Sequence, residues 1–161
     1  MIPAMTQSPP LNIVLIEPEI PANTGNIGRS CVGFRADLHL VGKLGFELSD
    51  KRLKRAGLDY WPHLTFTHHP TFEEWWAKVG DPTRVFFFTT KSTADFSRQV
   101  FQPGDWLVFG KETKGLGPDL LAQFPEQALT IPMKGPIRSL NLATSVAIVL
   151  FEAHRQFQYG V

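Results

Sequence analysis

Apolar residues fall along this chain in short, nearly continuous runs separated by longer mixed segments. Residues 11–16 (LNIVLI), 38–41 (LHLV), 84–89 (RVFFFT), 105–109 (DWLVF) and, more weakly, 64–67 and 128–131 have the length and the branched or aromatic content of strands. A strand that is apolar on consecutive positions has no solvent face, so these runs predict a parallel sheet covered on both sides. The intervening segments read as helices. One starts at an Asn23 or Thr24 cap and runs towards Phe34, and a short one is capped by Ser49 or Asp50 and closed by Gly57. A third spans 71–79 with the Trp75-Trp76 pair, a fourth opens at Gly117-Pro118-Asp119, and the longest covers 139–157. Strand–helix alternation of this kind predicts an α/β domain with a mostly parallel sheet and helices on both faces.

In such sheets ligands sit beyond the carboxyl ends of the strands, which directs attention to four loops. After residue 16, Gly25 and Gly28 fall near a helix start, where glycine costs about 1 kcal/mol relative to alanine in a helix. Close backbone approach to a ligand or to another segment would explain them, and free amides at a helix start also attract anions. After Phe88 the chain turns abruptly polar at Thr89, Thr90 and Lys91. After Phe109 comes Gly110-Lys-Glu-Thr-Lys-Gly-Leu-Gly117, which superficially resembles a nucleotide-binding P-loop. Leu116 and Gly117 stand where that loop needs its lysine and hydroxyl, which argues against a triphosphatase. The last loop carries Ser139 and Asn141, either of which can cap the long helix. That helix has small or apolar residues on nearly every side through 142–151, so it is expected to be buried all round, with a second subunit as cover.

Composition narrows the classes. The chain has 161 residues, 43% hydrophobic and 19% charged, which suits one folded domain over 11–161 with a loose tail over 1–10 and excludes disorder. A net charge of +1 excludes nucleic-acid binding by bulk charge but leaves room for a local patch. That patch is Lys51, Arg52, Lys54 and Arg55, with Tyr60 and Trp61 just after it: either an RNA-phosphate surface with stacking aromatics or a solvated basic face. One cysteine, Cys31, allows no intrachain disulfide and suits a reducing cytoplasm. The N-terminal residues have no leader pattern, and no apolar stretch approaches the roughly 20 residues needed to cross a bilayer, so a soluble protein is expected. The five histidines show no metal-ligand spacing, with His68-His69 expected in an exposed loop, and no metal is expected.

Three segments together add a resemblance. Asn23-Thr-Gly-Asn-Ile-Gly-Arg29, Leu107-Val-Phe-Gly-Lys-Glu-Thr-Lys-Gly-Leu-Gly117 and Ile131-Pro-Met…Arg138-Ser-Leu-Asn-Leu142 resemble, in order, the three motifs of the SPOUT family of trefoil-knotted RNA methyltransferases. Two further stretches, Leu11-Asn-Ile-Val-Leu…Glu17-Pro-Glu-Ile-Pro and Asp50-Lys-Arg-Leu-Lys-Arg-Ala-Gly-Leu-Asp-Tyr60, are similar to its bacterial branch acting on the wobble ribose of tRNA. That branch is minimal and lacks the RNA-binding domain of many relatives. The resemblance implies a deep C-terminal knot, a homodimer, and S-adenosyl-L-methionine as methyl donor with S-adenosyl-L-homocysteine as product. The substrate implied is the anticodon stem-loop of tRNA, methylated on the 2′-hydroxyl of a wobble cytidine or uridine, with no metal and no membrane. It implies cofactor contacts at Phe88, Gly110, Ile131, Ser139 and Leu140, and catalytic roles for Arg29, Ser139 and Asn141. Arg29 of one subunit would face the other's cofactor, and RNA contacts would come from Arg29, Lys51, Arg52, Lys54, Arg55 and Arg138. Gly28 stands where relatives often carry an aliphatic residue and would loosen its helix, and Ala143 where a serine is common. Methylation of ribosomal RNA or another tRNA position, a knotted RNA binder without catalysis, and a generic nucleotide-binding domain remain the alternatives.

Overall fold

Each apolar run becomes a strand. The computed structural model describes residues 8–55 and 59–159, apart from the side chains of Lys54, Gln158 and Tyr159; residues 1–7 of the expected tail and Gly57 of the expected helix end lie outside the described residues. The strands are β1 (Leu11–Ile16), β2 (Ala36–Val41), β3 (Phe66–His69), β4 (Val85–Phe88), β5 (Trp106–Phe109) and β6 (Ala128–Leu129). They form one sheet in the order β3-β2-β1-β5-β4-β6, and every pairing is parallel. The chain thus builds outward from β1 to one side, then crosses to build the other side, and the order reverses between β1 and β5.

Alternation along each strand feeds two cores. Ile13, Leu15, Leu38, Leu40, Leu107 and Phe109 point to the face covered by α1 (Pro21–Gly33) and α5 (Leu142–Tyr159), which insert Ile27, Cys31, Val146, Val149 and Leu150. Val14, Val41, Val85, Phe87 and Val108 point to the opposite face, sealed by Trp75 of α3 (Phe72–Trp76) and flanked by α4 (Pro118–Gln123). Several ring pairs tighten that second core, including Phe87 on Phe124 at 4.9 Å and Trp76 on Phe124 at 5.2 Å.

Three expectations shift. α1 begins at Pro21 rather than at an Asn23 or Thr24 cap, because proline at the first turn needs no donor; Asn23 and Thr24 lie buried inside the helix. Gly25 is therefore helical interior and offers no free amide to an anion. α5 begins at Leu142, with Asn141 as its cap: Asn141 Oδ1 accepts from the amides of Ala143 (2.9 Å) and Thr144 (3.3 Å). His68 and His69 end β3 rather than standing in a loop, and His69 is buried. A polar chain crosses three strands there. Asn12 donates its amide to the Gly104 carbonyl (3.0 Å), which turns its Oδ1 to accept from His39 Nε2 (3.1 Å). His39 Nδ1 then accepts from His69 Nε2 at 3.0 Å. Burial, with His69 alongside, lowers the His39 pKa to about 4, so both rings are neutral at pH 7.

Candidate active site

A cavity of about 400 Å³ opens beyond the carboxyl ends of β4, β5 and β6. Its walls come from the loops after Phe88, Phe109 and Leu129 and from the segment leading into α5. Phe88, Gly110, Ile131, Ser139 and Leu140 all line it, as do Asn141 and Arg138, so the sequence-predicted cofactor contacts converge in one place. Phe88 and Phe109 stack with centroids 4.8 Å apart and an interplanar angle of 8°, which fixes an apolar floor. Gly110 has a specific reason to be glycine: a Cβ there would lie 2.1 Å from the Gly115 carbonyl carbon and 2.3 Å from the Leu116 nitrogen. The loop folds back on itself at that point, and Gly115 turns it with a φ of +63°. An apolar slot of this volume edged by backbone polar groups matches a nucleoside-sized ligand.

A relay of polar groups ties the three loops together. The Glu112 carboxylate accepts from the backbone amides of Glu19 (2.7 Å) and Ile20 (3.0 Å) and from Asn23 Nδ2 (3.4 Å). Asn23 Oδ1 in turn accepts from Asn141 Nδ2 at 3.1 Å, and Asn141 caps α5. In the reverse direction, the Glu19 carboxylate accepts from both the hydroxyl and the amide of Thr113, which hold its pKa below the usual carboxylate range. Glu112 and Asn23 were missed as site residues by sequence reasoning. Both lie inside the motif segments, but Asn23 reads as a helix cap and Glu112 as a lone acid in a lysine-rich loop, and nothing local pairs them.

Arg29 stands apart. It lies on α1 and does not line the cavity of its own chain. Its Nη1 donates to Asp59 Oδ1 at 2.8 Å, a bond that lowers the Asp59 pKa, and its guanidinium lies 5.8 Å from the Tyr60 ring centroid. Tyr60 donates its hydroxyl to the Gly25 carbonyl, and burial pushes its own pKa up to about 12. Gly28 is the reason Tyr60 fits, since a Cβ there would sit 3.1 Å from the Tyr60 hydroxyl oxygen and 3.0 Å from Leu64 Cδ2. Gly28 therefore does not loosen the helix; it admits the segment that packs on Arg29. Of the two explanations open for these glycines, the structure selects close approach of another segment at Gly28.

The basic helix α2 (Lys51–Arg55) packs its buried Leu53 inward and exposes Lys51, Arg52 and Arg55. Asp50 caps it by accepting from the Arg52 amide (2.8 Å) and also pairs with the Arg52 guanidinium (3.1 Å). The side chain of Lys54 lies outside the described residues. The structure thus brings together the residues expected to contact a cofactor, while Arg29 and α2 do not line that cavity. Among the described residues no group of three or more His, Cys, Asp or Glu is placed to hold a metal ion, and no helix is long and apolar enough to cross a membrane.

Comparison with known proteins places the site in context. The model of the SpoU rRNA methylase family matches residues 10–151. A tRNA (cytidine(34)-2′-O)-methyltransferase from Burkholderia pseudomallei (strain 1106a) is 49% identical over 147 residues, covering 90% of this chain and 94% of that protein. A solved structure described as giving insight into the 2-OH methylation of C/U34 on tRNA superposes with a TM-score of 0.86 at 45% identity, over 91% of this chain and 95% of that one. The SpoU methyltransferase AviRb from Streptomyces viridochromogenes, solved with the cofactor AdoMet, superposes with a TM-score of 0.83 at 25% identity, over 98% of this chain and 61% of that one.

Proposed function

The chain belongs to the SpoU methylase family, and from that premise we propose that it transfers a methyl group from S-adenosyl-L-methionine to the ribose 2′-hydroxyl of the wobble nucleotide, cytidine or uridine, of tRNA. The observation that carries this reading is the cavity in which Phe88, Gly110, Ile131, Ser139 and Leu140 meet. The pocket fits the cofactor: it is apolar on its Phe88–Phe109 floor and edged by polar groups of the loops around it, one of which folds back on itself at Gly110. When bound there, the cofactor supplies an electrophilic methyl group on a sulfonium centre.

The protein's own work is to orient and to stabilise charge. A ribose hydroxyl attacks as its proton leaves, so negative charge grows on its oxygen and a fixed cation nearby lowers the barrier. Arg29 is that cation. A guanidinium is a planar cation with several donors in a fixed fork, which suits Arg29 to an electrostatic and positioning role first. Ser139 and Asn141 orient the ribose or the cofactor, and Arg138, Lys51, Arg52, Lys54 and Arg55 hold RNA phosphates.

Because Arg29 does not reach the cavity of its own chain, the reading includes a homodimer in which Arg29 of the partner subunit completes each site. The outer side of α5 supports it, with Phe151 57% and Ile148 36% exposed in its mostly apolar first half and Phe34 edge-on to Phe151 at 6.3 Å. The segment from β6 through α5 is read as a deep trefoil knot, and the working compartment as the cytoplasm. Incubation with S-adenosyl-L-methionine and tRNA lacking wobble methylation, followed by nucleoside mass spectrometry, tests the function. The expected product is 2′-O-methylated wobble cytidine or uridine. Methylation at another tRNA position or on ribosomal RNA alone would reassign the substrate, and S-adenosyl-L-homocysteine binding with no methylation of any RNA would leave a binding protein.

A further inference from the structure

Sheet order reverses between β1 and β5, and the crevice outside such a reversal is where open α/β sheets place ligands. The cofactor cavity lies to one side of that point, over β4, β5 and β6. A second cavity, of about 480 Å³, occupies the reversal itself, between Ile16 and Glu17 at the end of β1 and Lys111, Lys114 and Leu116 after β5, with Lys91 from the loop after β4. Lys91, Lys111 and Lys114 line both cavities, so the two join along a cationic seam.

Three ammonium groups on one seam repel one another unless anions stand among them. Three carboxylates are near, and Glu112 is already engaged by the backbone amides of Glu19 and Ile20. Glu19 is already engaged by the amide and hydroxyl of Thr113. Glu17 reaches Lys111 Nζ at 3.8 Å, a separation too long for a hydrogen bond and easily displaced. Glu17 is held with a φ of +51°, in the left-handed region, and its side chain lies over Gly42, where a Cβ would come within 2.9 Å of Glu17 Cγ. Backbone strain of this kind concentrates at ligand sites. A single small carboxylate, such as that of an amino-acid tail, would match one of the three lysines. An RNA strand presents one charge per nucleotide, and lysine binds phosphate as a point charge without demanding a fixed angle.

We propose that Lys91, Lys111 and Lys114 form a phosphodiester subsite that grips the RNA backbone beside the nucleotide whose ribose enters the cofactor cavity. The assignment rests on the proposed function for its choice of ligand. It is separate from the basic helix α2, which packs on α1 and lines neither cavity.

The test compares the full-length protein with Lys91→Ala/Lys111→Ala/Lys114→Ala and with the corresponding triple arginine variant. Affinity for unmodified tRNA is measured across a salt series, and affinity for S-adenosyl-L-homocysteine is measured in parallel. Each phosphate contact contributes roughly 0.7 to 0.9 to the slope of log K against log salt, so the alanine variant should flatten the slope by about 2 and the arginine variant should restore it. Because the three lysines also edge the cofactor cavity, cofactor affinity should fall far less than RNA affinity and show no matching change in salt slope. A slope unchanged by the alanines, or no tRNA binding by the unmodified protein, overturns the subsite. Cofactor affinity falling in step with RNA affinity assigns the lysines to the cofactor instead. A second arm replaces single phosphates flanking the wobble nucleotide of an anticodon stem-loop with neutral methylphosphonates. These should weaken binding to the unmodified protein and make no difference to the alanine variant; no effect on either overturns the location. If the lysines set the salt slope while no RNA is methylated, the subsite stands and the proposed function fails.

Discussion

The two halves of the sheet solve different problems. The β4–β5–β6 half ends in loops that fold over one another, seated by Gly110 and tied by the Glu112–Asn23–Asn141 relay, and it builds a cavity within a single chain. The β1–β2–β3 half adds Ile20 and Asn23 to the wall of that cavity and Ile16 and Glu17 to the second one. It carries Arg29, bonded to Asp59 beside the Tyr60 ring, and a basic helix, none of which lines the cavity of the same chain. A binding pocket can be completed within one chain because parallel strands bring their carboxyl-end loops to one side of the sheet. A catalytic cation that must approach from outside the pocket has to come from another surface, and in the proposed homodimer a second copy supplies it.

Gly110→Ala should break the comparison most severely. The added Cβ forces the motif loop apart at Gly115, and S-adenosyl-L-homocysteine affinity by isothermal titration should fall on the order of 100-fold or more. Retained affinity would mean that the loop does not form the pocket. Arg29→Ala should instead leave that affinity nearly intact while lowering methyl transfer by roughly 100- to 1,000-fold. Loss of cofactor binding in a folded Arg29→Ala protein would refute the division of labour. The two variants together sharpen the cross-subunit reading. Mixed after reversible dissociation, they should recover up to about a quarter of normal activity, because half of the dimers are mixed and one of their two sites is intact. No recovery in demonstrably mixed dimers would place Arg29 and the pocket in the same chain.

A smaller effect should follow from Asp59→Asn. It keeps the size of the side chain but removes the carboxylate charge facing Arg29, and should lower kcat several-fold with little change in cofactor affinity. A raised KM with unchanged kcat would point instead to a role in RNA binding. The smallest difference between the halves is acid sensitivity. His39 titrates near pH 4 in the folded protein and near 6.5 when unfolded, so above about pH 6.5 both states hold it neutral. Between those values the unfolded chain takes up a proton that the folded chain refuses. Stability should therefore decline as pH falls from 6.5 to 4, by at most about 1.4 kcal/mol per pH unit, and level off below. Urea unfolding at several pH values would show this slope, and His39→Gln should flatten it.

The strands were legible because burial on both faces writes itself into consecutive apolar residues, and all six appear where runs such as 11–16 and 84–89 predicted them, within a few residues at each end. Helix starts were less legible. Pro21 and Asn23 both suit a helix start, and which one begins α1 depended on Asn23 being drawn inward by Glu112, a residue 89 positions away. His69 shows the same limit: beside a proline it reads as loop, yet β3 pairs with β2 and places it on His39.

The sequence by itself determined the class of sheet, the pocket loops and, through three ordered motifs, the family, because local periodicity and short motifs are encoded over a few residues. Tertiary structure alone decided that Gly28 makes room for Tyr60, that Glu112 joins two loops, that three lysines share one seam, and that Arg29 does not line the pocket of its own chain. Those facts are distances between segments far apart in the chain, and distances of that kind exist only once the strands have paired and the loops at their ends have been brought side by side.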